Sequence, residues 1–511
     1  MHSSSSDLLL QNLVATSGSM INPVSPFPGV EIEAVPESSL ADVQSAVNSA
    51  RNSQIAWSST AISHRVKILD RFHDLLIKNQ EELLTAIQVE TGKSRIHASD
   101  EVFGLAMISA HYAKIGKRAL SPKRRAGVMP ILTKTRVLSQ PKGVIGIISP
   151  WNYPLMLSIC DALPAILAGN TVVIRPDSQT LWSAIRGLNL LRQAGLPDGV
   201  VTIVTGNGET VGAALIDEVD YVCFTGSTTT GKVVAAQAGA RLIGASLELG
   251  GKNPMIVCAD AKLETFLDVA VRACFTSAGQ LCVSIERIFI HESIYEEFLT
   301  AFVAKVKELK LGAHVGWGYD VGSLATEALA ERVTEVISSA VNEGAKLETG
   351  GRRCTDIGPR VFEPTVLTGV TKGMKISTEE VFGPCVYVQS FTTTDEAIAL
   401  ANDSIYGLSA SVITSSSRNG RRISEQLRSG SVNINEGFAA AYGSVAAPMG
   451  GMGQSGLGRR HGVEGLLRFT QPQTMAEQRW ISIGPKFGFS DEKWTRLLGK
   501  SLIVLKRLRI R

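Results

Sequence analysis

The residues able to do chemistry in this chain gather around one cysteine. Cys282 ends the run Gly279-Gln280-Leu281-Cys282, and Glu248-Leu249-Gly250-Gly251 begins 34 residues upstream of it. A cysteine acts as a nucleophile when its thiolate is favoured and accessible, and a carboxylate brought near it can serve as general base for the thiol or for water. Spacing alone is satisfied equally well by an inert core cysteine and an ordinary surface glutamate.

Two further segments could complete such a site. Pro150-Trp151-Asn152-Tyr153-Pro154 directly follows the apolar run Val144–Ile148. An asparagine amide held at a strand end suits an oxyanion, and flanking prolines fix its loop, although a plain turn reads the same way. Phe224-Thr225-Gly226-Ser227-Thr228-Thr229-Thr230-Gly231 passes from strand to helix. Its glycines permit close backbone approach and its helix start offers free N–H groups to an anion. It lacks G-x-G-x-x-G spacing, and Lys232 stands at the wrong distance for a Walker loop.

The elements that must position these residues follow from periodicity. From Leu40 to about His111 apolar residues such as Val66, Leu69, Phe72, Leu75 and Leu76 recur at helical spacing. Strand-like runs Val144–Ile148, Thr171–Ile174, Val200–Val204 and Tyr221–Phe224 then alternate with helical patterns near Leu155–Ala168, near Leu181–Ala194 and from Gly231. That alternation calls for a parallel sheet. A second α/β pattern starts near Lys252 and continues through Arg428, with strand-like runs at Arg287–Ile290 and Val386–Phe391. Two α/β domains in succession are expected.

Composition bounds the rest. A chain of 511 residues divides into two or three domains at roughly 100–200 residues each. An apolar content of 44% with 19% charged residues is globular and excludes a disordered or fibrous chain. Fifty-one basic residues against 47 acidic ones leave a net charge of +4, too weak a field for a nucleic-acid binder. Cys160, Cys223, Cys258, Cys274, Cys282, Cys354 and Cys385 are odd in number and contain no C-x-x-C pair, which disfavours a disulfide framework and a zinc site. No basic segment precedes Leu8–Leu10, and no apolar run reaches the roughly 18 residues of a spanning helix. A soluble, cytoplasmic protein with a flexible leader over residues 1–29 is expected.

Taken together and in this order, the three motifs resemble the aldehyde dehydrogenase superfamily, over about Val30 to Gln473. Glu380-Val381-Phe382-Gly383-Pro384 is similar to its cofactor-ribose segment, and Gly450-Gly451 with Ser455-Gly456-Leu457-Gly458-Arg459 to its C-terminal glycine-rich signature. The resemblance implies an α/β fold with a Rossmann-type dinucleotide-binding domain (30–126 and 143–248), a catalytic domain (249–447), and a small oligomerisation strand element (127–142 and 470–485) serving a homodimer or homotetramer. A basic and apolar tail (486–511) remains. It also implies that Cys282 attacks an aldehyde carbonyl, that Asn152 and the Cys282 N–H hold the oxyanion, and that Glu248 activates water against the resulting thioester. NAD(P) would contact Ile148, Pro150, Trp151, Arg175, Ser178, Gly226, Ser227, Gly231, Leu249, Glu380 and Phe382, with no metal required. A non-catalytic member of the fold is disfavoured by the presence of Cys282, Glu248 and Asn152, and a coenzyme A-acylating member by Glu248.

Departures from the family pattern refine the expectation. Arg175-Pro176-Asp177-Ser178 stands where Lys-Pro-Ser-Glu is common, so the carboxylate that would repel a 2′-phosphate is replaced by Ser178 and NADP is favoured over NAD. Ala447–Gly453 and Gly458-Arg459-Arg460-His461-Gly462 look most like the actinobacterial second type of NADP-dependent succinate-semialdehyde dehydrogenase. Better-known enzymes for that substrate clamp its carboxylate with two arginines at positions that here hold Cys160 and Thr276, which keeps apolar aliphatic or aromatic aldehydes as the alternative. Arg287 is expected to be structural. Arg460 and His461 occupy positions where a glutamate is usual, with no chemical reading from sequence. From Leu498 to Arg511 apolar and basic residues alternate, a pattern of a packed terminal helix, a solvated tail or a segment lying on anionic lipid.

Overall fold

The capping box of Ser39 and Asp42 opens the first long helix, Leu40–Ser59, with the Ser39 hydroxyl accepting from the Asp42 N–H at 3.1 Å and the Asp42 carboxylate from the Ser39 N–H at 2.7 Å. It is followed by Ile62–Lys78, Gln80–Thr91 and Arg95–Leu120. The computed structural model describes residues 9–11, 13–129 and 132–509. The helices cover a six-stranded sheet ordered Gly456–Leu457, Gly244–Glu248, Tyr221–Thr225, Val144–Ile148, Thr171–Arg175, Val201–Ile203. All pairs are parallel except the first. Along Val144–Ile148, Ile145 and Ile147 face one core while Val144 and Ile148 face another that includes Val43 and Val47. Burial on both faces explains why the strand reads as a continuous apolar run. Its neighbours are reached by connections leaving in opposite directions, which opens a crevice at the carboxyl ends of the strands.

A second, seven-stranded sheet is ordered Lys346–Thr349, Thr365–Thr368, Cys385–Phe391, Ile285–His291, Asn253–Val257, Ser409–Ile413, Ser431–Ile434, with only the first strand antiparallel. Thr470–Gln478, Thr133–Pro141 and Lys123–Arg125 form a separate antiparallel sheet. The last of these strands was not anticipated, and Pro130 and Ile131 lie outside the described residues. No described helix is long and apolar enough to cross a membrane.

Two expectations need correction. The leader is bonded to the domain from Leu13 onward: the Val14 N–H donates to the Ile203 carbonyl at 3.0 Å, Met20–Ile21 pairs with Val35–Pro36, and Phe27 is buried. An open sheet edge at Val201–Ile203 has unpaired backbone groups that this segment satisfies. Ser3–Ser6 lie outside the described residues. The single helix expected near Leu155–Ala168 is two, Pro154–Ile159 and Ala162–Leu167. Pro164 has no N–H for the Cys160 carbonyl, so the helix breaks and Asp161 falls in the gap.

A buried ion pair fixes the loop that carries the Asn152 motif. Lys93 Nζ donates to Glu101 Oε1 at 2.8 Å and to the Asn152 carbonyl at 2.6 Å, while Glu101 Oε2 accepts from the Met156 N–H at 3.1 Å. The Lys93 ammonium also sits 3.6 Å from the centre of the Tyr153 ring. Lys93→Met is expected to cost about 3–5 kcal/mol, because it leaves the Glu101 carboxylate buried without its cation. Adding Glu101→Gln should recover part of that loss. Urea denaturation of the three proteins checks this, and a single variant as stable as the wild type would rule the clamp out.

Candidate active site

The nucleophile loop is built from an unusual backbone. Ser277, Ala278 and Gly279 all take left-handed conformations, with φ of 53°, 55° and 71°. A methyl group on Gly279 would come within 2.1 Å of the Gly383 carbonyl oxygen, so only glycine lets this turn meet the Glu380–Pro384 segment. Side chains hold the loop from outside: Asn253 Nδ2 donates to the Cys282 and Ser284 carbonyls at 2.7 and 2.8 Å, and Gln280 Oε1 accepts from the Ala325 N–H at 2.9 Å.

Asn152 reaches the same loop. Its Nδ2 donates to the Gln280 carbonyl at 2.9 Å, and an amide nitrogen carries a second N–H for a further acceptor. Cys282 and Asn152 line one cavity of about 360 Å³ together with Pro150, Trp151, Gly226, Ser227, Leu249, Glu380 and Phe382. Glu380 accepts from the Gly251 N–H at 2.8 Å, and burial together with nearby Glu286 pushes it up to about 8. Phe382, at φ 56°, stands edge-on to Trp151 with ring centres 5.6 Å apart. Its segment is anchored by Glu286, which accepts from the Val381 and Phe382 N–H groups and pairs with Lys252 at 2.6 Å.

Glu248 ends its strand beside Thr225 and Gly456. Its Oε1 is buried without a hydrogen-bond partner among the described residues, and a methyl group on Gly450 would come within 3.2 Å of it. Burial pushes this carboxyl up to about 7 against the pull of the Arg460 and Arg468 guanidinium groups. Arg460 is bidentate on Asp161 at 2.9 and 2.8 Å, and its Nη2 donates to Thr225 Oγ1 at 2.9 Å. Thr225 and Glu248 are in register on adjacent parallel strands, so the guanidinium lies on the face from which Glu248 projects. Arg460 thus has the role that sequence left blank: a cation beside the carboxylate. Nothing local in the sequence signals its pairing with a residue 299 positions away. Burial, with the Glu248 and Glu380 carboxylates, pushes the Cys282 thiol up to about 12, so it rests protonated.

A wider cleft of about 730 Å³ shares Pro150, Trp151, Gly226 and Ser227 with this cavity and adds Ile148, Arg175, Asp177, Asn207 and Glu209. Ser227 caps the helix Thr228–Ala240, its hydroxyl accepting from the Thr230 N–H at 3.1 Å. Arg175 Nε and Nη2 donate to the Gly206 carbonyl at 2.9 and 2.6 Å. Ser178 does not line the cleft, and its hydroxyl donates to that same carbonyl at 3.2 Å. Gly231 does not line it either; a methyl group there would strike Leu249 at 2.4 Å, so it packs the helix start. The switch-point crevice, the helix start at Ser227, the Arg175 cation and the Glu380 carboxylate suit a dinucleotide.

A third cavity of about 150 Å³ is lined by Asp100, Phe103, Gly104, Met107, Tyr153, Leu281, Phe438, Ala439, Tyr442 and Gly443, among them the chain neighbours of Asn152 and Cys282. Burial pushes Asp100 up to about 6. Arg287 is far from any such role: its guanidinium donates to the carbonyls of Lys252, Leu400 and Ala401 at 2.7, 3.0 and 2.8 Å.

The aldehyde dehydrogenase family model matches residues 13–475. The chain is 44% identical over 482 residues, 94% of its length and 93% of the relative's, to a Mycolicibacterium smegmatis protein named "Putative succinate-semialdehyde dehydrogenase", with NADP(+) in its name. It is 36% identical over 461 residues, 89% of its length and 86% of the relative's, to the mitochondrial succinate-semialdehyde dehydrogenase of Oryza sativa subsp. japonica. The crystal structure of betaine aldehyde dehydrogenase from Staphylococcus aureus in complex with NAD+ superimposes with a TM-score of 0.87 at 31% identity, covering 93% of this chain and 95% of that one. The chain belongs to the aldehyde dehydrogenase family and is an oxidoreductase acting on aldehydes.

Proposed function

We propose that the chain oxidises an aldehyde to a carboxylic acid with NADP through a covalent adduct on Cys282. The observation that carries this is the convergence of Cys282, Asn152 and Glu380 on one cavity continuous with the dinucleotide cleft. The Cys282 proton passes to Glu248, whose carboxyl near 7 is matched to neutral conditions, and the sulfur bonds to the carbonyl carbon. The second N–H of Asn152 Nδ2 and the Cys282 N–H hold the oxyanion. Bound NADP supplies the acceptor for the hydride that leaves this carbon. Glu248 releases the thiol proton to solvent and then takes one from the water that attacks the thioester, and the acid departs as the Cys282 sulfur is freed and takes this proton back.

Succinate semialdehyde is the substrate supported by the names of the relatives. A second reading, apolar aliphatic or aromatic aldehydes, is supported by the cavity that Tyr153 and Leu281 line, whose lining holds four aromatic rings, one carboxylate and no cation. A second carboxylate placed there would lack the charge-assisted bonds that reward it. The same proposal includes a homodimer or homotetramer joined through the exposed edge strand Thr470–Gln478, and a cytoplasmic site where a nucleophilic thiol stays reduced. Light scattering showing only a 54.6 kDa species at micromolar concentration would reject the oligomer.

Cys282→Ser should abolish turnover while NADP binding persists. Glu248→Gln should slow the first-turnover appearance of NADPH as well as the steady-state rate, the latter about 100- to 10,000-fold. In the wild type that rate should rise with pH through about 7, as Glu248 ionises. Arg460→Met removes a cation that favours the ionised form, so the limb should move to higher pH, and Arg460→Lys should restore much of it. A limb that stays put in Arg460→Met would remove Arg460 from the role.

Asp177→Asn should lower KM for NADP more than for NAD, because Asp177 rather than Ser178 faces the cleft. Equal effects on both cofactors would place the 2′-phosphate elsewhere. For the substrate, kcat/KM of succinate semialdehyde should exceed that of butanal and hexanal if the relatives' names hold. A tenfold preference for hexanal, about 1.4 kcal/mol, would favour the apolar reading instead.

A further inference from the structure

The family region ends at residue 475, and beyond it the chain forms a 17-residue helix, Asp491–Arg507. Ser490 caps it, and none of its residues is buried. At 3.6 residues per turn, Trp494, Leu497, Leu498, Leu502, Leu505 and Leu508 fall on one continuous side. Leu497, Leu498, Leu502 and Leu508 are between 40% and 62% exposed, far more than a packed terminal helix would leave. The opposite side carries Lys493, Arg496, Lys500, Lys506 and Arg507, interrupted by Ile503 and with Val504 at its margin. The helix's only acids, Asp491 and Glu492, sit in the first turn, where they complement the helix dipole. The linker before it exposes Trp480 and Phe487 at 82% and 83%.

We infer that this helix docks on an anionic phospholipid surface, lying in the interface with its leucine side down. Charge complementarity selects this occupant. A basic amphipathic helix gains both from burial of its apolar side among acyl chains and from attraction of its cations to anionic headgroups. A second copy of the helix would bring like-charged flanks together. Trp480 and Trp494 suit the headgroup level, where amphipathic aromatic rings are favoured. The helix is too polar to span a bilayer, so the contact is peripheral.

The test is flotation of the full-length protein with vesicles of pure phosphatidylcholine or of an equal mixture with phosphatidylglycerol, at low and high salt. The expected result is binding at least about tenfold stronger to the mixed vesicles, weakened by salt. It should be lost both in Leu498→Glu with Leu502→Glu and in Lys500→Glu with Arg507→Glu, while turnover in solution stays at the wild-type level. Wild type that fails to float, or floats equally with neutral vesicles, overturns the inference. So does binding that survives both double substitutions, or a leucine-side variant whose only effect is a smaller oligomer by light scattering.

Discussion

Two buried lysine–glutamate pairs, one in each domain, hold the walls of the site. Lys93 and Glu101 both bond backbone groups around Asn152, whereas in the second pair Glu286 alone accepts from the Val381 and Phe382 N–H groups and Lys252 holds Glu286. Each pair takes two charges out of water, a cost that attraction offsets only when the remaining donors and acceptors are also satisfied. The backbone groups of the two loops are those partners. The loops therefore supply what makes the buried charges tolerable, and the charges in turn give the loops one position.

Rigid walls also explain where the backbone departs from ordinary conformations. Non-glycine residues at positive φ cost about 1–3 kcal/mol each and persist only when their surroundings over-determine them. Ser277 and Ala278 shortly precede Cys282 and Phe382 lines the same cavity as Cys282, so these three strained residues stand around it. Asn253, Gln280 and Glu286 supply the bonds that hold them.

Much of this was legible in the sequence, and what was not shares a physical cause. Val144–Ile148 appears with the same bounds in sequence and structure, because a strand buried on both faces must be apolar throughout. The motif residues Asn152, Cys282 and Glu380 share a cavity as the resemblance implies. Lys93 and Asp161 gave no signal, since the partners of a buried charge are chosen across the fold rather than along the chain. Ser178 and Asp177 could not be told apart, because one turn decides which of two neighbouring side chains faces the cleft. Gly456–Leu457, only two residues long, carries no strand pattern at all, yet it lies directly beside Glu248.

That two-residue strand has a consequence for how the protein is made. On a ribosome the chain emerges from its N-terminus, and every strand of the second sheet, through Ser431–Ile434, is synthesised before Gly456–Leu457 appears. Until then the first sheet has an open edge at Gly244–Glu248, the strand that bears Glu248, and an open edge is a template for wrong pairing. The nascent N-terminal domain can collapse around its helices but cannot close its sheet, and the last seventh or so of the chain must fold back across a finished neighbour to do it. The order of synthesis thus leaves the edge that bears Glu248 open until the second sheet is complete.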